Sequence, residues 1–81
     1  ASHGFITLES DDLKLLEEAL TEMDAFTHIK KEGESLVAYL KNPMDASEVN
    51  RKLFTKGIAV SRLEKRKESL EEQFLEITKN N

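Results

Sequence analysis

Three features of the sequence predict an α+β sandwich of four antiparallel strands and two helices. Short β-branched or aromatic runs alternate with stretches of helical spacing. The order reads strand, helix, strand, strand, helix, strand. Each helical stretch opens on a residue suited to cap it. Two strand–helix–strand units in tandem are the order of the ferredoxin-like split βαβ sandwich, which packs two helices on one face of its sheet.

The first four residues, Ala1-Ser2-His3-Gly4, are small, polar and aperiodic and read as a loose terminus, so that one domain occupies 5–81. Phe5-Ile6-Thr7-Leu8-Glu9 is the first strand. Ser10-Asp11-Asp12 starts a helix: its side chains can accept from the free N–H groups of the first turn, and its carboxylates suit the positive end of the dipole. Leu13, Leu16, Leu20 and Met23, with Ala19, share one face, which places this helix at about 11–23. Phe26, Thr27 and Ile29 make 25–31 the second strand, and Glu32-Gly33-Glu34 is a turn. The nearly continuous apolar run Ser35-Leu36-Val37-Ala38-Tyr39-Leu40 puts the third strand, 35–41, in the middle of the sheet and closes a hairpin with the second.

Asn42-Pro43-Met44 breaks the pattern, and Asp45-Ala46-Ser47-Glu48 matches a capping box with Asp45 as cap. The helix at 46–56 turns Ala46, Val49 and Leu53 inward, with Phe54 extending that stripe, and Gly57 stands where a left-handed residue commonly closes a helix. Ile58-Ala59-Val60-Ser61-Arg62-Leu63 makes 58–64 the fourth strand. The charged stretch Glu64-Lys65-Arg66-Lys67-Glu68 leads to a second capping box, Ser69-Leu70-Glu71-Glu72. Beyond it Leu70, Phe74 and Ile77, widened by Leu75, share one face of an extra helix at 70–79. That helix covers the open sheet face, covers an edge, or docks on another domain.

Composition narrows the function. With 81 residues, 38% of them hydrophobic, the chain closes one small core and has no room for a separate catalytic domain. Twelve basic against sixteen acidic side chains give a net charge of −4, which disfavours wrapping nucleic acid. The charge is uneven: residues 1–40 carry net −6 and residues 41–81 net +2, a polarity suited to orienting the domain on a partner. The absence of cysteine excludes disulfides, thiol catalysis and Cys-ligated zinc. No apolar run approaches the ~20 residues that span a bilayer, and no leader pattern opens the sequence.

Candidate chemistry is sparse. Gly4, Gly33 and Gly57 are isolated, so no phosphate-cradling loop can be built from them. His3 sits in the loose terminus and His28 reads as a surface residue on the polar side of its strand, which makes a metal site poor in ligands. The carboxylate pairs Asp11–Asp12, Glu17–Glu18 and Glu71–Glu72 lie at helix starts or on exposed faces, where capping and solvation explain them. The run Arg62, Lys65, Arg66, Lys67 is interrupted by Glu64. Stacking of bases on the sheet would need exposed aromatics on the middle strands, for which Tyr39 and Phe26 are the candidates.

The C-terminal third resembles a known family. Lys56-Gly57-Ile58, a strand ending near Leu63, a short charged linker and then Ser69-Leu70-Glu71-Glu72-Gln73-Phe74-Leu75-Glu76-Ile77-Thr78 is similar to the tail of many bacterial ABC transporter ATP-binding subunits of the ABC-2, drug-export and gliding-motility types. Ser69, Leu70, Glu71, Glu72, Phe74, Leu75 and Thr78 match the tail pattern, and Ile77 stands where Leu is more usual. The upstream element order looks like the accessory domain that precedes this tail, so the resemblance covers about 5–79. It implies a non-catalytic accessory or regulatory domain that packs against its own N-terminal ATPase domain, contacts its twin in the ATPase dimer or modulates the cycle, within a complex containing a membrane permease. ATP and magnesium would bind only in the parent subunit, whose phosphate-binding loop, signature motif and catalytic carboxylate have no counterpart here. It further implies a cytoplasmic location peripheral to the membrane. The alternative is a stand-alone ferredoxin-like domain for small-molecule sensing or protein interaction. Against sensing, Leu8-Glu9-Ser10-Asp11 lacks the glycine-containing loop that would hold a metabolite.

Overall fold

The computed structural model describes residues 3–67. Its elements are β1 (Phe5–Glu9), α1 (Leu13–Met23), β2 (Phe26–Glu32), β3 (Ser35–Leu40), α2 (Ala46–Thr55) and β4 (Arg62–Arg66). The sheet order is β2-β3-β1-β4, antiparallel at every neighbouring pair. Each strand–helix–strand unit is thus split: β3 lies between β1 and β2, and β1 lies between β3 and β4. This is the α+β, ferredoxin-like class the element order predicts. The extra helix expected at 70–79 and the capping box at Ser69 lie outside the described residues.

One sheet face is filled by both helices. Ile6 and Leu8 of β1, Leu36, Ala38 and Leu40 of β3 and Phe26 of β2 pack with Leu16, Ala19 and Leu20 of α1 and with Val49 and Leu53 of α2. Burying a side chain of this size contributes roughly 1.5–3 kcal/mol. Phe26 and Ile29 stand three apart on β2 and could not share a face of a regular strand. A bulge between Phe26 and His28 resolves this: Phe26 pairs with Leu40 and Ile29 with Ala38, both toward the core.

The helix ends follow local chemistry. Asp12 caps α1, its Oδ1 accepting from the Leu15 N–H at 3.0 Å. Asp45 holds the cap position of α2, but its side chain makes no capping bond, so the predicted box is not formed through it; its carbonyl accepts from the Glu48 and Val49 N–H groups. At the other end Gly57 takes φ +81°, the Gly57 N–H donates to the Phe54 carbonyl and the Ile58 N–H to the Leu53 carbonyl. That is a Schellman closure, with Ile58 and Leu53 both in the core.

Two expectations are corrected. The fourth strand begins at Arg62, not Ile58. Ile58 is buried as the hydrophobic contact of the Schellman turn, and the chain then ties to the sheet through Ser10 Oγ donating to the Ala59 carbonyl and Ser61 N–H donating to that of Glu9. Pairing starts only after these anchors, so Lys65-Arg66, read as part of the charged stretch beyond the strand, is strand. Phe54 does not extend the inward stripe of α2: it is 78% exposed, because one residue beyond Leu53 the helix has turned 100° away from the sheet.

Candidate functional site

The other face of the sheet is uncovered among the described residues. Register fixes what stands on it, since paired residues share a face. Reading across from β2 to β4, one row is His28, Tyr39, Phe5, Arg66; the next is Lys30, Val37, Thr7, Glu64; the third is Glu32, Ser35, Glu9, Arg62. The face carries a shallow depression of about 420 Å³ lined by Phe5, Thr7, Glu32, Ser35, Val37, Tyr39, Arg62 and Arg66.

Its first row is aromatic. The Phe5 and Tyr39 rings lie 5.5 Å apart at 39°. His28 stacks on the other side of Tyr39 at 4.2 Å and 12°. Lys30 Nζ stands 5.6 Å from the Tyr39 centroid, within cation–π range. The bulge in β2 is what brings His28 opposite Tyr39. Val37, in the middle row, is buried although no helix among the described residues covers it.

Its charged rows are self-paired. Arg62 Nε donates to Glu64 Oε2 at 2.6 Å, and Arg62 Nη1 donates to Glu9 Oε2 at 2.9 Å. Glu9 Oε2 also accepts from Ser35 Oγ at 2.7 Å. Arg66 reaches Glu64 at 3.6 Å, and Lys30 reaches Glu32 at 3.8 Å. The Ser35 hydroxyl and then Arg62 hold the Glu9 carboxyl below the usual glutamate range; Arg62 does the same to Glu64, with a smaller contribution from Arg66. Glu64 and then Glu9 hold the Arg62 guanidinium above its ordinary value. All three cations of the face are therefore matched by a carboxylate on the same face.

The residues singled out from sequence fall as follows. Phe26, a candidate for base stacking, is in the core; its place is taken by Phe5, which alternation along β1 puts opposite Ile6 and Leu8. The basic run divides: Arg62 and Arg66 share the open face, whereas Lys65 pairs with Ile6 on the helix side. Asp12 is a cap, and Glu17 and Glu18 are exposed. Ser69, Leu70, Glu71, Glu72, Phe74, Leu75, Ile77 and Thr78 lie outside the described residues. Among the described residues no polar or charged side chain is buried, no group of three His, Asp or Glu could hold a metal ion, and no helix is long and apolar enough to cross a membrane.

Compared with protein-family models, with curated proteins and with solved structures, the chain matches none.

Proposed function

We propose that this chain is the non-catalytic C-terminal accessory domain of an ABC transporter ATP-binding subunit of the ABC-2, drug-export or gliding-motility type. It packs on the ATPase domain of its own subunit or that domain's dimer mate and modulates the transport cycle, with the permease as the membrane partner of the whole complex. ATP and magnesium belong to the parent subunit, and the domain works in the cytoplasm at the membrane periphery without inserting.

The observation that supports this reading is one of spacing. β4 ends at Arg66, and Ser69-Leu70-Glu71-Glu72-Gln73-Phe74-Leu75-Glu76-Ile77-Thr78 begins three residues later. A tail of this pattern, following a split βαββαβ unit by a short charged linker, is the arrangement that the resemblance describes. The test is the complete coding sequence. A phosphate-binding loop and signature motif are expected on the order of 200 residues upstream of Ala1; a parent chain without them ends the reading. Hydrolysis of ATP by residues 1–81 alone would also count against it. A second reading, a free-standing protein-interaction domain, is favoured by the aromatic row, which no described residue covers, and the same coding sequence separates the two.

A further inference from the structure

We propose that the open sheet face is the docking surface for the chain's own C-terminal segment, residues 69–79. Four observations converge on this occupant. First, Arg66 closes β4 in register with Phe5, so the chain leaves the sheet beside the row that holds Phe5, Tyr39 and His28, with residues 68–81 still to follow. Second, the length fits. Eleven residues wound as a helix would rise ~16 Å at 1.5 Å each, and four strands span ~14 Å at about 4.8 Å per interval. Third, the pattern fits. Leu70, Phe74 and Ile77 recur at helical spacing in the sequence, and the opposite sheet face is already filled by α1 and α2. Fourth, the charge fits. The face offers rings and Val37 at its centre and neutralises its own cations, which suits an apolar stripe. Its loosest cation, Arg66, is 63% exposed and stands 3.6 Å from Glu64; it lies at the exit edge, next in sequence to a segment with three glutamates and one lysine. A polyanion would have to displace three glutamates from this face. The proposal rests on this geometry and not on the transporter reading, and its failure would leave that reading standing.

The chain has no cysteine, so Thr78→Cys in the full chain accepts a single nitroxide label. The expected result is paramagnetic broadening of the amides of His28, Lys30 and Tyr39, with Leu16 and Val49 on the helix side less affected. Tyr39 is the only tyrosine and there is no tryptophan, so its fluorescence reads the face directly. Phe74→Ser is expected to raise acrylamide quenching of Tyr39 at least twofold and to abolish the broadening. Broadening confined to the end of β4, or equally strong on the helix side, overturns the proposal. Broadening transferred between labelled and unlabelled molecules assigns the face to a second copy and overturns it too. So does a single-stranded oligouridylate that shifts the Phe5 and Tyr39 amides at micromolar concentration with the label unmoved.

Discussion

Replacing Gly4 by alanine tests how β4 is held. Gly4 has φ +91°, and a Cβ there would run into the backbone carbonyl of Arg66, with the Lys67 Cα at 3.2 Å. The first cost is conformational: an L-residue in left-handed backbone loses roughly 1–2 kcal/mol, offset by about 0.4–1 kcal/mol from a less free unfolded chain. The second cost is steric. The obstacle is main chain and cannot rotate aside, so the end of β4 must swing out, with the loss of at least one hydrogen bond or packing contact at about 1 kcal/mol. The sum is about 1.5–2 kcal/mol, and at 4–8 °C per kcal/mol in a domain of this size the melting temperature falls by roughly 6–16 °C. Gly57 is the control. Its φ is +81°, but a Cβ there meets nothing within 4 Å, so Gly57→Ala bears only the first cost, about 0.5–1 kcal/mol. Thermal and urea unfolding of both variants, followed by far-ultraviolet circular dichroism, measures the difference. A Gly4→Ala loss no larger than that of Gly57→Ala would refute the reasoning.

Further outcomes follow from the packing and the ion pairs. Leu53→Ala removes a fully buried side chain and is expected to cost about 2–5 kcal/mol, whereas Phe54→Ala, at a 78% exposed position, should change stability by at most about 0.5 kcal/mol; equilibrium unfolding in urea distinguishes them. Asp12→Ala should cost about 1 kcal/mol through the lost bond to Leu15, and Asp45→Ala distinctly less because its side chain makes no capping bond; the denaturation midpoints should rank accordingly. Glu9 and Glu64 both have lowered pKa values in the folded state. Their contribution is therefore present above the unfolded glutamate value of 4.5 and is lost as pH falls through that value toward the folded one. Melting temperature should drop with acid in that window, and Glu9→Gln should flatten the drop.

The sheet-forming runs were legible where a residue's local pattern and its tertiary role agree. β1 and β3 alternate or run apolar because they are central, and α1 shows a clean stripe from Leu13 to Met23 because one face alone meets the sheet. Gly57 announced its turn because left-handed backbone favours that residue. What failed was hydropathy read without geometry. Ile58 is as apolar as a strand residue, but it is buried as a turn contact, and β4 itself is mostly charged because its open-face positions hold Arg62, Glu64 and Arg66. Phe54 is apolar and next to Leu53, yet neighbours on a helix face different ways. Phe26 is in the core and Phe5 on the open face, each for its own reason: Phe26 sits ahead of a bulge that no residue of β2 signals, and Phe5 falls on the face opposite Ile6 by simple alternation.

The open face shows why the net charge of a chain is a poor guide to its surfaces. Its twelve register positions include three cations and three carboxylates, so by composition it is an ordinary polar face. Register turns that list into pairs. Arg62 bridges Glu9 and Glu64 across two strands, and Ser35 completes the coordination of Glu9. Exposed pairs of this kind are screened by solvent and add little stability, so their main consequence lies in what the face can receive. A phosphate backbone would compete with carboxylates already seated on the arginines, whereas an apolar side chain laid on Tyr39, Phe5 and Val37 disturbs none of them. If this holds, Arg62→Gln should weaken docking of an apolar segment only slightly. Replacement of Glu9 and Glu64 by glutamine, which frees the cations, should raise affinity for single-stranded oligonucleotide above that of the native face, read as a salt-dependent change in Tyr39 fluorescence. No gain of oligonucleotide binding in that double variant would show that geometry, and not the glutamates, keeps polyanions away.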